Sequence, residues 1–344
     1  MRISPPKFDY YILNTYQPEA DGAPERLYAS WLEQALAAED LGYDTLWCTE
    51  HHFRHFGGMM PNPQLFLASV ASRTRRIRLG TAVAILPLHH PMRIAEDVAM
   101  LDNISGGRVE VGVGRGMPQA EYEIFGADWE TSHEHVTEAL AIMRKSWAGQ
   151  LFRWQGEHYR YGREVTVFPP PVQKPHPPVW VTANFDESHF RWIGRQGFNL
   201  MTLPWALPSY DRSRELIGIY QDSLADAGHD PARRNVLAMF PTHVCETAAE
   251  ARAAEGYWAR MVATATGERG GDLAHAMSFD DIVAQSRGIY GDVARCREHV
   301  AYIRDKLGLT HIATMHHFGG VPQETVLRSM RLFAEGVASA FSSG

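Results

Sequence analysis

Cysteine is scarce in this chain of 344 residues, which contains only Cys48, Cys245 and Cys296. The three cysteines lie far apart and form no Cys-x-x-Cys pair, which argues against a disulfide framework and against a structural zinc site. Reduced thiols are typical of proteins in a reducing compartment, so we expect the protein to be cytoplasmic.

The sequence also lacks basic clusters and long hydrophobic runs. It carries 33 Lys and Arg against 40 Asp and Glu, a net charge of −7, so the basic surface of a nucleic-acid-binding protein is not expected. Residues 1–10 are followed by no apolar stretch that is long enough for a signal peptide or a membrane span. We therefore expect neither a nucleic-acid partner nor a membrane segment.

Short apolar runs followed by longer amphipathic stretches recur along the chain. The apolar runs predict eight strands, at residues 10–13, 45–49, 77–86, 109–113, 179–182, 200–203, 236–245 and 311–315. Strands that alternate with helices predict a parallel sheet, and eight alternations favour an α/β (β/α)8 TIM barrel. An open dinucleotide-binding sheet is disfavoured because no Gly-x-Gly-x-x-Gly follows the first strand. We expect one domain over residues 1–344, with an irregular segment at 150–178 and an insertion at 267–288 before the last strand.

The active site of such a barrel is built at the carboxyl ends of its strands. Candidate residues at those ends are Asn14, Tyr16, Gln17, Glu50, His51, His52, His89, His90, Arg115, residues 184–189, His316 and His317. Around Arg115, glycines at 112, 114 and 116 would let a planar ligand or a phosphate approach the backbone, and the arginine would supply a fixed positive charge. A glycine-rich turn with a solvated arginine is the alternative interpretation.

Three adjacent histidine pairs, at 51–52, 89–90 and 316–317, raise the question of a metal site. Neighbouring residues in an extended segment point to opposite faces, so such a pair seldom places both rings on one ion. The sequence also contains no His-Glu-x-x-His helix. We therefore predict no metal site and interpret the pairs at 89–90 and 316–317 as hydrogen-bonded structural residues.

Several motifs, in order along the chain, are similar to those of the bacterial luciferase-like monooxygenases. They are Tyr16-Gln17-Pro18, residues 41–47 followed by Glu50-His51-His52-Phe53, residues 79–83 followed by 86–91, residues 95–98 and 105–108, Gly114-Arg115-Gly116, Phe125-Gly126 and residues 329–333. The resemblance covers nearly the whole chain and is densest up to Gly126. It implies a monooxygenase that uses dioxygen and reduced FMN, the latter delivered by a separate NAD(P)H-dependent flavin reductase. In this family a hydroperoxide at flavin carbon 4a oxygenates the substrate.

The resemblance also implies roles for individual residues. His51 matches the family's catalytic histidine, a general acid or base that exchanges a proton near neutral pH, and His52 is expected to support it. Arg115 matches a residue that pairs with the flavin phosphate, and the Ala82–Val83 bond lies where the family has a non-prolyl cis peptide beneath the flavin ring. Other residues expected at the cofactor are Glu50, Gly114, Met117, His133, Asn184, Ser188 and His189. Residues 267–288 match the family's mobile lid, and a homodimer is expected.

Three departures from the family pattern bear on this site. Gly114 stands where light-emitting members carry a reactive cysteine, which predicts oxygenation without light emission. His133 stands where they carry an arginine that reaches the phosphate, so a fixed charge is replaced by a titratable one. Residues 184–189 carry an apparent insertion of one residue relative to the family motif.

Two other functions stay open. One is a barrel oxidoreductase of the same superfamily that uses a deazaflavin cofactor for hydride transfer, although the Glu50-His51-His52-Phe53 cluster favours FMN. The other is a noncatalytic flavin-binding subunit that stabilises a catalytic partner, although His51 and Arg115 argue against it. We expect a small hydrophobic substrate, and the residues that could line its pocket are Phe53, Phe56, Met59, Met60, Trp205 and Phe318.

Overall fold

The computed structural model describes residues 5–13, 15–117, 120–252, 254–269 and 288–341. Its strands are β1 (Lys7–Ile12), β2 (Thr45–Cys48), β3 (Arg78–Thr81), β4 (Ala84–Ile85), β5 (Val109–Gly114), β6 (Phe152–Gln155), β7 (Arg160–Val165), β8 (Val179–Thr182), β9 (Asn199–Thr202), β10 (Val236–Cys245), β11 (Ile289–Asp292) and β12 (His311–Met315). Eight of them pair in parallel in the order β1, β2, β3, β5, β8, β9, β10 and β12, and β12 pairs with β1. The predicted TIM barrel is therefore confirmed.

The helices between the strands surround this barrel. They are α1 (Pro18–Asp21), α2 (Pro24–Asp40), α3 (Pro63–Ala71), α4 (Pro91–Ser105), α5 (Ala120–Phe125), α6 (Ser132–Trp147), α7 (Glu187–Gln196), α8 (Tyr210–Asp226), α9 (Ala248–Ala251), α10 (Ala254–Arg269), α11 (Val293–Leu307) and α12 (Gln323–Leu332). Local sequence explains several ends. Proline opens α2, α3 and α4, where its missing N–H is not needed, and Gly106 ends α4 in the left-handed conformation.

Alternation along the strands separates two apolar cores. In β1, Phe8, Tyr10 and Ile12 pack with the surrounding helices, whereas Tyr11 belongs to the cluster inside the barrel. Trp47 of β2 lies in that inner cluster. Because successive strand residues point to opposite faces, this period of two produces a filled barrel with an outer layer of helices.

Buried polar side chains occupy the amino-terminal end of the barrel. Asp9 accepts hydrogen bonds from Trp47 Nε1 at 3.0 Å and pairs with His311 Nδ1 at 2.9 Å. Glu110 accepts a hydrogen bond from Trp180 Nε1 at 2.7 Å. These residues lie at the starts of their strands, opposite the end where barrel active sites form, so we assign them to packing.

The strands differ from the sequence expectation in three segments. One is β11 at Ile289–Asp292, which was not predicted and which pairs in parallel with β10. The segment at 150–178 was predicted to be irregular, but it contains the antiparallel hairpin of β6 and β7. The strand predicted over 77–86 is divided into β3 and β4 by a cis peptide bond between Ala82 and Val83. The interruption matters for function because it lies at the carboxyl end of the barrel.

Three other expectations concern the predicted lid, the cysteines and membrane-spanning helices. Of the lid predicted at 267–288, residues 270–287 lie outside the described part of the chain, so the lid stays a prediction. The three cysteines are buried and unpaired. Within the described ranges, none of the helices combines the length and the hydrophobicity that a bilayer crossing requires.

Candidate active site

Glu50 is a buried carboxylate directly after β2, and it connects two loops at the barrel mouth. Its Oε1 lies 3.0 Å from His52 Nε2 and 2.6 Å from His89 Nε2, and its Oε2 accepts a hydrogen bond from the backbone N–H of Ile85 at 3.1 Å. Burial alone would raise the pKa of Glu50, but the hydrogen bonds from His52 and His89 outweigh it and lower that pKa. Glu50 therefore remains charged and holds His52 in place.

His89, interpreted from the sequence as a hydrogen-bonded structural residue, forms a hydrogen bond with Glu50 and so belongs to this cluster. Burial would lower the pKa of His89, but the hydrogen bond and charge of Glu50 raise it. His316 and His317 do fit the structural interpretation, since both are buried, with His316 Nδ1 at 2.8 Å from Ser329 Oγ and His317 Nε2 at 3.1 Å from Asp21 Oδ1. In the part of the chain that the structure describes, no cluster of three or more His, Cys, Asp or Glu is arranged to hold a metal ion.

Glu121 of α5 approaches the same loop and was not identified from the sequence. Its Oε1 lies 3.8 Å from His51 Nδ1, accepts the backbone N–H of His52 at 3.2 Å and pairs with Arg54 Nη2 at 2.9 Å. Burial raises the pKa of Glu121, but the contacts with His51 and Arg54 lower it overall. The His51 side chain is 17% exposed and that of His52 only 7%, so His51 is the more accessible imidazole of the pair.

Replacing Glu121 by Gln is expected to lower the pH at which His51 titrates. A carboxylate next to an imidazole stabilises the protonated ring, and the amide removes that charge at nearly the same volume. Histidine-labelled protein followed by NMR over a pH series measures the midpoint, with the His51 signal assigned from His51→Asn. Glu123→Gln is the matched control because Glu123 is exposed on the same helix, and an unchanged midpoint in Glu121→Gln would contradict the assignment.

An exposed aromatic side chain, Phe53, lies beside His52. Phe53 is 59% exposed, and its φ of 59° is the single positive value among described residues other than glycine. Its ring lies 5.6 Å from that of His52 and 5.5 Å from that of Phe125. Phe56, by contrast, is buried. Of the residues predicted to line a substrate pocket, Phe53 is the most exposed, whereas Met60 and Phe318 are buried like Phe56.

Gly114 at the end of β5 packs against the loop that contains the cis peptide bond. The Ala82–Val83 bond is cis, as the resemblance predicted. A Cβ atom at position 114 would lie 2.6 Å from Thr182 Cγ2 and 2.9 Å from Val83 Cγ2. The side chains of Thr182 and Val83 therefore already fill the space that a cysteine at position 114 would need.

We expect Gly114→Cys to destabilise the fold by about 1–3 kcal/mol, because Thr182 and Val83 must move to admit the side chain. Denaturant unfolding measures the free energy of unfolding. Gly162→Cys is a suitable control, since no atom lies within 4 Å of a Cβ placed there. Equal stability of Gly114→Cys and the parent protein would show that the contacts at this glycine are not restrictive.

Arg115 is held beside the start of α6. Its Nε donates to Ser132 Oγ at 2.8 Å, and its guanidinium lies 4.2 Å from the centre of the Trp129 ring. The hydroxyl of Tyr122 donates to the carbonyl of Arg115. Because Tyr122 follows Glu121 in α5, this short helix contacts both the His51 loop and Arg115. The two predicted parts of the site therefore lie at the same end of the barrel, where β2 and β5 flank β3.

His133 and His189 come together beside Arg115, although one belongs to α6 and the other to α7. Their rings lie 5.0 Å apart and nearly perpendicular, and Trp192 packs against both. The Nε2 atom of His189 is buried with no hydrogen-bond partner. Both histidines occupy the first turn of their helices, so two partially positive helix ends, two imidazoles and an arginine converge there.

The pKa values of these histidines reflect burial first and neighbouring positive charge second. Burial, then repulsion by His133 and Arg115, lowers the pKa of His189 to about 4. Burial and then Arg115 lower the pKa of His133. An unsatisfied buried nitrogen beside an arginine at helix N-termini fits an anionic group such as a phosphate monoester.

The remaining residues predicted to bind the cofactor follow β5 and β8, and two of them, Asn184 and Ser188, form hydrogen bonds within the protein. Asn184 Oδ1 accepts the backbone N–H of Leu203 at 2.9 Å, which ties the loop after β8 to the end of β9. The backbone N–H of Ser188 donates to Asp186 Oδ1 at 2.8 Å, and its side chain is exposed. Met117 is 38% exposed. Their contact with a cofactor stays a prediction.

Comparison with known proteins gives the family of this chain. Residues 7–311 match the luciferase-like monooxygenase family. An uncharacterized protein y4wF of Sinorhizobium fredii is 39% identical over 199 residues, which cover 58% of this chain and 57% of that protein. The oxygenase component of a flavin-dependent trigonelline monooxygenase of Acinetobacter baylyi is 30% identical over 232 residues, 67% of this chain and 63% of that protein. The matches thus span less than two thirds of these relatives.

Solved structures show the same fold over almost the whole chain. Monooxygenase RslO1 of Streptomyces bottropensis has a TM-score of 0.89 and 30% identity, and the match covers 98% of this chain and 100% of that one. The oxygenating constituent of 3,6-diketocamphane monooxygenase of Pseudomonas putida, solved in complex with FMN, has a TM-score of 0.82 and 19% identity. The match covers 97% of this chain and 98% of that one. An F420-dependent secondary alcohol dehydrogenase has a TM-score of 0.76 and 16% identity, and the match covers 96% of this chain and 98% of that one. With its barrel and its matched residues, this chain belongs to the luciferase-like monooxygenase family.

Proposed function

We propose that the protein is the oxygenase component of a two-component, flavin-dependent monooxygenase that uses reduced FMN and dioxygen. The observation that carries this proposal is the candidate phosphate pocket formed by Arg115, His133 and His189, at the same barrel mouth as the accessible imidazole of His51. A separate NAD(P)H-dependent reductase would deliver the reduced flavin, and the substrate would be a small hydrophobic molecule. We further propose a cytoplasmic homodimer.

Reduced FMN supplies the electrons that activate dioxygen, and the chain supplies binding and proton transfer. Arg115 would pair with the phosphate, and His133 and His189, neutral in the free protein, would form hydrogen bonds with it. The Ala82–Val83 loop, against which Gly114 packs, would lie beneath the flavin ring, as the resemblance implies. His51 would exchange the proton, and Glu121 would keep the imidazole oriented and favour its protonated form.

Exposed apolar side chains at the mouth support a hydrophobic substrate. Phe53 and Phe125 are exposed next to His52, and Met117, which follows β5, is also exposed. Aromatic side chains of this kind would bind an apolar molecule and reduce the access of water to the reacting atoms. Gly114 in place of a cysteine supports oxygenation without light emission.

Cofactor titration tests this proposal against the deazaflavin alternative, which the similarity to an F420-dependent dehydrogenase supports. We expect the purified protein to bind FMN more tightly than F420, measured by flavin fluorescence. With a generic flavin reductase and NADH, a panel of aldehydes and ketones should then yield products that have gained one oxygen atom, detected by mass spectrometry. Tighter binding of F420 would contradict the proposal. FMN binding without turnover of any substrate would favour a noncatalytic subunit.

A further inference from the structure

We propose that binding of FMN is coupled to proton uptake by His133 and His189, so that affinity for the phosphate-bearing flavin decreases as pH rises. The inference rests on the proposed function, because it concerns the same phosphate pocket. It goes further, because it makes the protein's retention of flavin dependent on pH through two side chains of this chain.

The geometry places both imidazoles where a phosphate would bind. His133 is in the first turn of α6, a helix of 16 residues, and His189 is in the first turn of α7, a helix of 10 residues. Their rings are 5.0 Å apart, and Arg115 is fixed to Ser132, the residue before His133. The buried Nε2 of His189 has no hydrogen-bond partner, although a buried polar atom normally has one. A phosphate oxygen would supply that partner.

Burial and neighbouring positive charge explain why the imidazoles of His133 and His189 are neutral before a phosphate binds. Burial removes water from both rings, and each ring also lies close to Arg115, so a further positive charge is unfavourable. Asp186 raises the pKa of both histidines and Glu134 raises that of His133, but both carboxylates are exposed and their effect is smaller than that of burial. The packed neighbours that carry no charge are Trp192 and Ser132.

A bound phosphate would favour the protonated form of both imidazoles. A phosphate monoester carries a charge of about −1.5 to −2 at neutral pH, and it would stabilise the protonated form of an imidazole that donates to it. The pKa of each histidine is thus expected to be higher in the complex than in the free protein. By linkage, the complex holds more protons than its separate parts at a pH between the two pKa values. Binding is therefore strongest below the pKa of the free histidines and weakens as pH rises towards their raised pKa in the complex.

Calorimetry can measure the proton uptake directly. The protein is titrated with oxidised FMN at about pH 7.5, where the phosphate has already lost its second proton, in two buffers that differ in ionisation enthalpy and contain no phosphate. We expect uptake of about one proton per FMN and an affinity that falls by up to about tenfold for each unit of rising pH. Riboflavin, which has the ring system but no phosphate, should bind without proton uptake.

Variants identify the groups that take up the proton. His189→Gln and His133→Gln should each reduce the proton uptake and flatten the pH dependence of FMN affinity, and the double variant should abolish both. His135→Gln is the matched control, because His135 is on α6 but stacks on His158 instead, with ring centres 3.9 Å apart. It should take up as many protons as the parent protein.

The outcomes separate this inference from the proposed function. FMN binding that is tight but independent of pH, or proton uptake that persists in the double variant, would overturn the inference and leave the flavin site standing. Proton uptake with riboflavin equal to that with FMN would also overturn it, because the phosphate would then not be responsible. Binding of neither flavin would overturn the proposed function together with the inference.

Discussion

Arg115→Ala is expected to weaken FMN binding by about 100-fold while leaving riboflavin binding nearly unchanged. Removing the charged partner of a bound anion typically costs about 2–5 kcal/mol, and about 1.4 kcal/mol corresponds to a factor of ten. Arg115 is fixed by Ser132 and by the ring of Trp129, so little ordering is needed before it binds the phosphate. Fluorescence titration with both flavins measures the two affinities.

The comparison of FMN with riboflavin makes this result specific to the phosphate. Arg191→Ala is the matched control, because Arg191 is on α7 near the same pocket but pairs with Glu187 at its surface. Arg115→Lys should give an intermediate loss, since lysine keeps the charge but not the planar contact with Trp129. A similar loss for both flavins would mean that Arg115 supports the fold of the site and does not bind the phosphate.

His51→Ala is expected to lower product formation by about 10²–10⁴-fold, the usual contribution of a general acid or base. FMN affinity should stay within a few-fold of the parent protein, because His51 belongs to the loop after β2 and the phosphate pocket lies after β5 and β8. Reduced flavin would still be oxidised by dioxygen, so the ratio of product formed to flavin oxidised should fall. Product quantification with simultaneous oxygen measurement gives this ratio.

His229→Ala is the control for this substitution. His229 follows α8 at the opposite end of the barrel, and its Nε2 lies 3.2 Å from the carbonyl of Arg195. That variant should form product at the parent rate. If His51→Ala also retained the parent rate and the same ratio of product to oxidised flavin, the proton would have to come from another group, and His52 would be the next to test.

Much of the fold follows from local sequence patterns. Apolar runs of strand length, separated by amphipathic stretches, predicted the eight barrel strands, and those at 179–182, 236–245 and 311–315 have the predicted bounds. The hairpin of β6 and β7 was missed because its strands are short and largely exposed. Such strands lack the apolar run by which buried strands are recognised.

The sequence likewise identified some residues of the candidate site and missed others. His51 and Arg115 could be chosen because each directly follows a buried strand, and strand ends of a parallel barrel meet at one mouth. Glu121 could not be chosen, because it is one of many acidic residues and its contact with His52 joins positions 69 residues apart. The approach of His133 to His189 likewise depends on how two helices pack.

By itself, the sequence determined the order of strands and helices, the end of the barrel that carries the polar residues, and the resemblance to a flavin-dependent family. Those features depend on periodicity and on residues that are neighbours along the chain. Only the tertiary structure decided that Glu50 joins two histidines, that Thr182 and Val83 leave no space at Gly114, and that a buried nitrogen of His189 lacks a partner. Burial and charge at these points are produced by segments distant in sequence, so no local pattern encodes them.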